Sequence, residues 1–305
     1  MKPILLTSLL LTVALAVGLA ARPRSQSISY GGGDPLSDDC SEHMRVSGHH
    51  YDSVVRGEES RSLPNQPLSF SADHNGGIHI SSWDKADFSV KLCKEVASDS
   101  DEQGRKLLAD IKLVVNGSSV SVNSPERHGD YTIGTLLLIK APRDAQVSMS
   151  VLNGGISVRH FDGTVEAKAV NGGISLKESR GKLTVRADNG GISIQDCGGD
   201  VTAHVQNGGL SINLPERWDG KGLDAHTQNG GLVIGIPRNF SSGLEITTSN
   251  HTPIVCKGDA CENGQRTWDD EHRIFRVGSG APQIRASTVN GGVVIKNSER
   301  SREMM

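Results

Sequence analysis

The groups in this 305-residue chain that could do acid–base chemistry are few, and they recur in a column: His160, Glu178, Asp196 and Leu214 stand 18 residues apart. Two carboxylates gathered on one face are the raw material of a sugar-cleaving enzyme, in which one donates a proton while the other attacks or stabilises. The alternative is a solvated edge beside a series of strands. That reading is preferred because glycosidase-like pairs come with aromatic subsites and this face offers little besides Phe161. Histidines gather at His43, His49 and His50, with His74 and His79 beyond. Paired imidazoles ligate metals, yet these spacings match no ligand set, so neither a metal nor another cofactor is expected. Gly-Gly nonapeptides bind calcium through an Asp in the turn, but here Leu or Ile stands where that Asp would be. His-Glu-x-x-His, Gly-x-Ser-x-Gly, the phosphate loop and the dinucleotide fingerprint are all missing. A non-enzyme is the reading, with a carbohydrate-active enzyme built on Glu178 and Asp196 as its alternative.

Thiols and aromatics add little reactivity. Of five cysteines, Cys256 and Cys261 enclose a four-residue loop and are expected to pair, Cys40 with Cys93 is the second pairing, and Cys197 is left as a small residue at a tight turn. Aromatics number only 11. Trp218 and Trp268 interrupt the repeats described below and are the candidate contact residues, or else each covers a junction in the fold.

What must position these residues is a repeat. Asn-Gly-Gly followed by aliphatic, any residue, aliphatic begins at Asn75, Asn153, Asn171, Asn189, Asn207, Asn229 and Asn290, with steps of 18, 18, 18 and 22 between Asn153 and Asn229. Within each unit the period is two, the signature of strands. Val147, Val165, Leu183 and Val201 form one apolar column, Met149, Ala167, Val185 and Ala203 a second, and Val151, Ala169, Ala187 and Val205 a third. Ile156, Ile174, Ile192 and Leu210 follow each Asn-Gly-Gly, while Ser157, Ser175, Ser193 and Ser211 point the other way. One side of every strand is dry and the other wet.

The solution is an all-β fold, a single-stranded parallel β-solenoid with about 18 residues per coil, whose units bury their apolar face only by stacking. The triplets Asn153-Gly154-Gly155, Asn171-Gly172-Gly173, Asn189-Gly190-Gly191, Asn207-Gly208-Gly209 and Asn229-Gly230-Gly231 are the structural turns, since Asn and Gly tolerate positive φ and two glycines let the chain reverse without a Cβ clash. A stacked Asn ladder would account for the fixed Asn. Towards the N-terminal end the strands turn irregular: alternation is visible in Leu68–Ala72, Ala86–Leu92, Ile111–Val115, Val120–Val122 and Thr135–Ile139, with loops over Ser98–Lys106 and Ser124–Asp130. Residues 284–295 repeat the unit once more after an insert over about 250–280.

Lys2, the apolar run Ile4–Leu19 and the small residues Gly18 and Ala20 read as a secretory signal over residues 1–20. A run of about 16 apolar residues falls short of the roughly 20 needed for a span, so no stable membrane span is expected after cleavage. Residues 21–67 read as a flexible or capping segment, 68–297 as the solenoid and 298–305 as a polar tail. With 32 basic against 35 acidic residues nothing favours nucleic acid as a partner.

A Gly-Gly-Ile strand, Trp83-Asp84 before an alternating strand, Ile139-Lys140-Ala141-Pro142 and then serial Asn-Gly-Gly-Ile units together resemble the DUF4097 family of bacterial adhesin-like β-solenoid domains, over roughly residues 68–297. The resemblance implies an exported protein, periplasmic, at the cell surface or secreted, with an adhesive role and no transferable catalytic motif. The expected partner is a surface polymer or an envelope protein, the remaining alternative being a structural or stress-related periplasmic scaffold.

Overall fold

The computed structural model describes residues 27–30, 37–47, 51–72, 76–126, 131–249, 252–268, 272–279 and 283–298. The expected signal over 1–20, together with His49, His50, His74, Asn75 and residues 299–305, lies outside the described residues.

The first part of the chain runs β1 (Ser27–Tyr30), α1 (Cys40–His43), β2 (Met44–Ser47), β3 (Ser53–Pro64), β4 (Leu68–Ala72), β5 (Gly76–Trp83), β6 (Asp87–Ser98), α2 (Asp101–Asp110), β7 (Lys112–Asn116), β8 (Ser119–Asn123) and β9 (Tyr131–Pro142). The repeats supply β10 (Gln146–Asn153), β11 (Ile156–Arg159), β12 (Thr164–Asn171), β13 (Ile174–Lys177), β14 (Lys182–Asn189), β15 (Ile192–Gln195), β16 (Asp200–Asn207), β17 (Leu210–Asn213), β18 (Gly222–Asn229) and β19 (Leu232–Ile236). Last come β20 (Leu244–Thr248), β21 (Ile254–Cys256), β22 (Gln265–Trp268), β23 (Arg273–Val277), β24 (Ile284–Asn290) and β25 (Val293–Asn297).

The fold is all-β, built on two large mixed sheets. One has 12 strands in the order β22-β23-β20-β24-β18-β16-β14-β12-β10-β4-β8-β7; the other has 11, in the order β21-β25-β19-β17-β15-β13-β11-β5-β9-β6-β3. In the repeat region each strand lies parallel to its counterpart in the next unit, so Val147 pairs with Val165, Val165 with Leu183 and Leu183 with Val201, while Ile156, Ile174, Ile192 and Leu210 line up in the other sheet. These apolar columns are buried and belong to one continuous core. Each buried Val, Leu or Ile contributes about 1.5–3 kcal/mol relative to exposure, and since no unit can bury its columns alone, register and core are specified together.

The corners work differently from expectation. Among the described residues no Asn has positive φ; among side-chain-bearing residues that conformation falls at the opposite corner, on His160, Glu178 and Asp196, each at φ 50°. The first glycine of each triplet is required by close approach, and Gly190 and Gly208 also carry positive φ of 158° and 155°: a Cβ on Gly172 would lie 1.8 Å from the Gly154 carbonyl oxygen, and one on Gly208 2.1 Å from that of Gly190. The Asn side chains form a ladder up this edge, the Nδ2 of Asn171, Asn189, Asn207, Asn229 and Asn290 donating in turn to the Oδ1 of the preceding Asn at 2.8–3.1 Å.

The N-terminal end is regular, not irregular. β3, β6 and β9 are 12-residue strands in an antiparallel run that extends the second sheet, so residues 21–67 include a full strand. β3 carries charges on both faces because it is the sheet's edge, where charge deters further pairing, and this erased its period-two signal. The expected loop over Ser98–Lys106 contains most of α2. Ser100 caps that helix, its Oγ accepting from the Gln103 amide, acids fill the first turn, and Leu107 and Leu108 pack on the core.

The C-terminal end departs from simple stacking. The insert over 250–280 contributes β21, β22 and β23, with β22 and β23 pairing antiparallel beyond β20. The last repeat, β24 and β25, then returns to lie between β18 and β20 in one sheet and between β19 and β21 in the other. The unit latest in sequence is therefore interior in space.

Candidate functional site

Along the outer face of the second sheet runs a groove of about 650 Å3. Its floor crosses β5, β11, β13, β15, β17 and β19, about 24 Å at roughly 4.8 Å per strand. From β11 to β19 each crossing strand presents the same two positions: the second glycine of the triplet (Gly155, Gly173, Gly191, Gly209, Gly231), and two residues on, a serine (Ser157, Ser175, Ser193, Ser211), replaced by Val233 on β19, while β5 contributes Ile78 and His79. Alternation puts the aliphatic partners into the core, so across β11, β13, β15 and β17 these small groups face outward.

The second glycines answer to a different demand from the first. A Cβ built on Gly155, Gly209 or Gly231 would meet its nearest neighbour at 3.5, 3.8 and 3.7 Å, ordinary van der Waals contact, and none of the three has positive φ. Packing within the fold does not require glycine at these three positions, whereas a Cβ on Gly173 or Gly191 would come within 3.2 or 3.0 Å of the next unit's backbone carbonyl oxygen. What the absence of a side chain does is keep the groove floor low.

One end of the groove is polar and walled. Residues 37–47, comprising α1 and β2, lie as a strap on the outer face of β6 and β9. Cys40 is joined to Cys93 of β6, and Met44 is buried against Cys93, Leu136 and Leu138. Lys91 Nζ donates to the Asp38 carbonyl at 2.7 Å, and Lys140 pairs with the Asp38 carboxylate at 2.8 Å. His43 from the strap lines the groove beside Leu136, its ring centroid 5.4 Å from that of His79. Next along β11, opposite His79, come Ser157 and then Arg159, whose Nε donates to Ser157 Oγ at 3.3 Å. The Arg159 guanidinium has no carboxylate partner among the described residues. Its cross-strand neighbour Lys177 is held by Glu178 at 3.3 Å.

The residues singled out from sequence fall elsewhere. His160 Nδ1 lies 3.1 Å from Glu178 Oε2, so Glu178 is shared between His160 and Lys177 at an exterior corner, and neither it nor Asp196 lines the groove. Phe161 is core, fully buried. Trp218 is not a surface contact: it is only 3 % exposed, its Nε1 donates to the Gly199 carbonyl at 3.1 Å, and it fills the four-residue expansion between repeats. Trp268 is 74 % exposed on the outermost strand, β22. Cys256 and Cys261 are joined, and Cys197 is free and buried, its thiol pushed up to about 11 chiefly by desolvation. No group of three metal-ligating side chains occurs among the described residues, and none of their helices is long and apolar enough to cross a membrane. The groove itself escaped sequence reading because glycine and serine carry no chemical signature; the recurrence of the second glycine was its only trace.

No protein-family model matches the chain, and no curated protein does. Among solved structures it is similar to a candidate cell adhesion protein from Clostridium sporogenes ATCC 15579, at 10% identity and a TM-score of 0.32 over 80% of this chain and 100% of the other. It is also similar to a candidate adhesin from Bacteroides fragilis NCTC 9343, at 10% identity and a TM-score of 0.33, covering 79% and 97% of the two chains. A candidate lipid binding protein from Parabacteroides distasonis ATCC 8503 follows at 11% identity and 0.30, covering 78% and 96%.

Proposed function

We propose that this chain is an exported, non-enzymatic binding module: a β-solenoid of 18-residue coils, of the adhesin-like kind its repeats resemble in the DUF4097 family, that holds an extended ligand along one face. The observation that carries this reading is the groove, a continuous trough across six strands with a glycine and serine floor, where packing leaves room for a Cβ at Gly155, Gly209 and Gly231 and yet none is present. A long shallow site binds by many modest contacts, and its affinity depends on how well the ligand lies along the whole floor. Glu178 held by His160 and Lys177 at an exterior corner supports binding over catalysis, because a catalytic carboxylate must reach a bound substrate.

A tryptophan placed at Ser193 would stand in the middle of the trough. The test compares the intact chain with its Ser193→Trp variant on an array of soluble glycans, extended peptides and lipids. A ligand retained by the first and lost by the second supports the reading; an array on which the two chains behave alike sinks it. Export is checked separately, by protease digestion of the tagged protein on source cells that are intact, opened at the outer envelope alone, or fully lysed. Digestion on intact cells supports it, digestion once the outer envelope alone is opened directs the search to partners inside the envelope, and digestion only after full lysis contradicts it.

A further inference from the structure

The groove reading leaves the ligand's chemistry open, and what lines the groove narrows it. Most of the surface it presents is carbon: glycine methylenes, serine Cβ atoms and the edges of Ile156, Ile174 and their counterparts. No Phe, Tyr or Trp lines it, and its two imidazoles sit together at one end, so its length offers no platform on which a sugar could stack. The backbone amides and carbonyls of its floor are engaged in the parallel ladders of the second sheet. A peptide laid across them would leave most of its own N–H and C=O groups without partners, a cost an alkyl chain does not carry.

Charge is confined to one end. Arg159 has no carboxylate partner among the described residues, and the His43 and His79 rings sit beside it. Glu178, at the corner after the adjoining strand β13, is taken up by His160 and Lys177. The other end of the trough, at Gly231 and Val233, carries no charge.

Resting on the groove reading, we infer that the ligand is a free long-chain carboxylate, its head group at Arg159 and its alkyl chain lying over the Gly-Ser floor towards Val233. A guanidinium meets a carboxylate with paired N–H donors, and each methylene laid in the trough leaves water. The strap gives the site direction, because His43 and Leu136 close the charged end and the chain can extend only the other way.

The probe is oleate, read by displacement of a fluorescent fatty acid from the full chain, with oleyl alcohol, octanoate and phosphatidylglycerol vesicles in parallel. Oleate is expected to displace the reporter, with oleyl alcohol and octanoate at least tenfold weaker. Arg159→Glu should weaken oleate at least tenfold while leaving oleyl alcohol unchanged. Ser193→Trp should abolish binding, and Gly209→Ala should weaken it, each with an unchanged melting temperature. Oleate failing to bind, binding Ser193→Trp as well as the parent, or being matched by oleyl alcohol would each overturn the inference, as would vesicle binding without binding of free oleate. If oleate is silent while the array yields another ligand lost on Ser193→Trp, the acyl assignment falls and the groove reading stands.

Discussion

Replacing Asn171 and Asn189 together with alanine removes three consecutive rungs of the side-chain ladder: Asn171 to Asn153 at 2.9 Å, Asn189 to Asn171 at 3.1 Å and Asn207 to Asn189 at 3.1 Å. The rungs are exposed, so each contributes at the low end of a net hydrogen bond, about 0.5–1 kcal/mol, and the double variant should lose about 1.5–3 kcal/mol. For a domain of this size that is roughly 3–12 °C in melting temperature. Each single variant breaks two rungs, and one of these is common to both, so the two single losses should sum to more than the double loss by about one rung, roughly 0.5–1 kcal/mol. Asn171 and Asn207 share no rung, and their losses should add. Urea unfolding of the two sets, with m held constant, measures both quantities. A double variant with an unmoved midpoint would refute the ladder's contribution. Equal coupling in the adjacent and the separated pair would show that the energy does not reside in side-chain rungs at all.

Other consequences can be checked in the same preparation. With its thiol raised to about 11 and no solvent contact, Cys197 should resist alkylation at pH 8 in the native protein and react promptly in denaturant. Trp218→Ala should cost about 3–5 kcal/mol, whereas Trp268→Ala should stay within about 0.5 kcal/mol by the same urea assay. Burial raises the Glu95 carboxyl above its ordinary value against the pull of Arg56, whose Nη2 lies 2.6 Å away. A raised acid lends stability that is complete below its unfolded value of about 4.5 and is lost as pH climbs through the folded value. Glu95→Gln should therefore gain on the parent as pH rises above about 4.5 in urea unfolding; a parent that gains on the variant instead would reverse the assigned direction.

The parts legible in the sequence are those where one physical demand repeats. Val165, Leu183 and Val201 lie in register because each must bury its side chain on the one before, and that demand is written every 18 residues. The Asn and first Gly of each triplet were legible as a corner, although the demand shared by all five glycines is a carbonyl 1.8–2.1 Å from the missing Cβ, with positive φ added only at Gly190 and Gly208. β3 was hidden because Arg56, Glu58, Glu59 and Arg61 break its alternation, as an edge strand's charges will. α2 was signalled by Ser100-Asp101-Glu102-Gln103, an N-cap with acids in the first turn, but its two leucines are too few to give a clear 3.6-residue stripe. The strap depends on the contacts of Asp38, Cys40 and Met44 with strands more than 45 residues away, which local pattern cannot show.

The placement of β24 and β25 between strands made earlier has a consequence for how the molecule comes into being. During synthesis the layers up to β19 can close on one another as they emerge, but β20 and β21 reach their final position only with a layer missing beneath them. That layer is written in residues 284–297, close to the end of the described chain. A ribosome that stops early thus leaves a gap in the interior instead of a shorter tube, with apolar columns and unpaired strand edges open on both sides of the slot. Such a product is what quality-control proteases recognise. The order of strands in space makes completeness of the message a condition of stability, a check that a stack built strictly in sequence order would not contain.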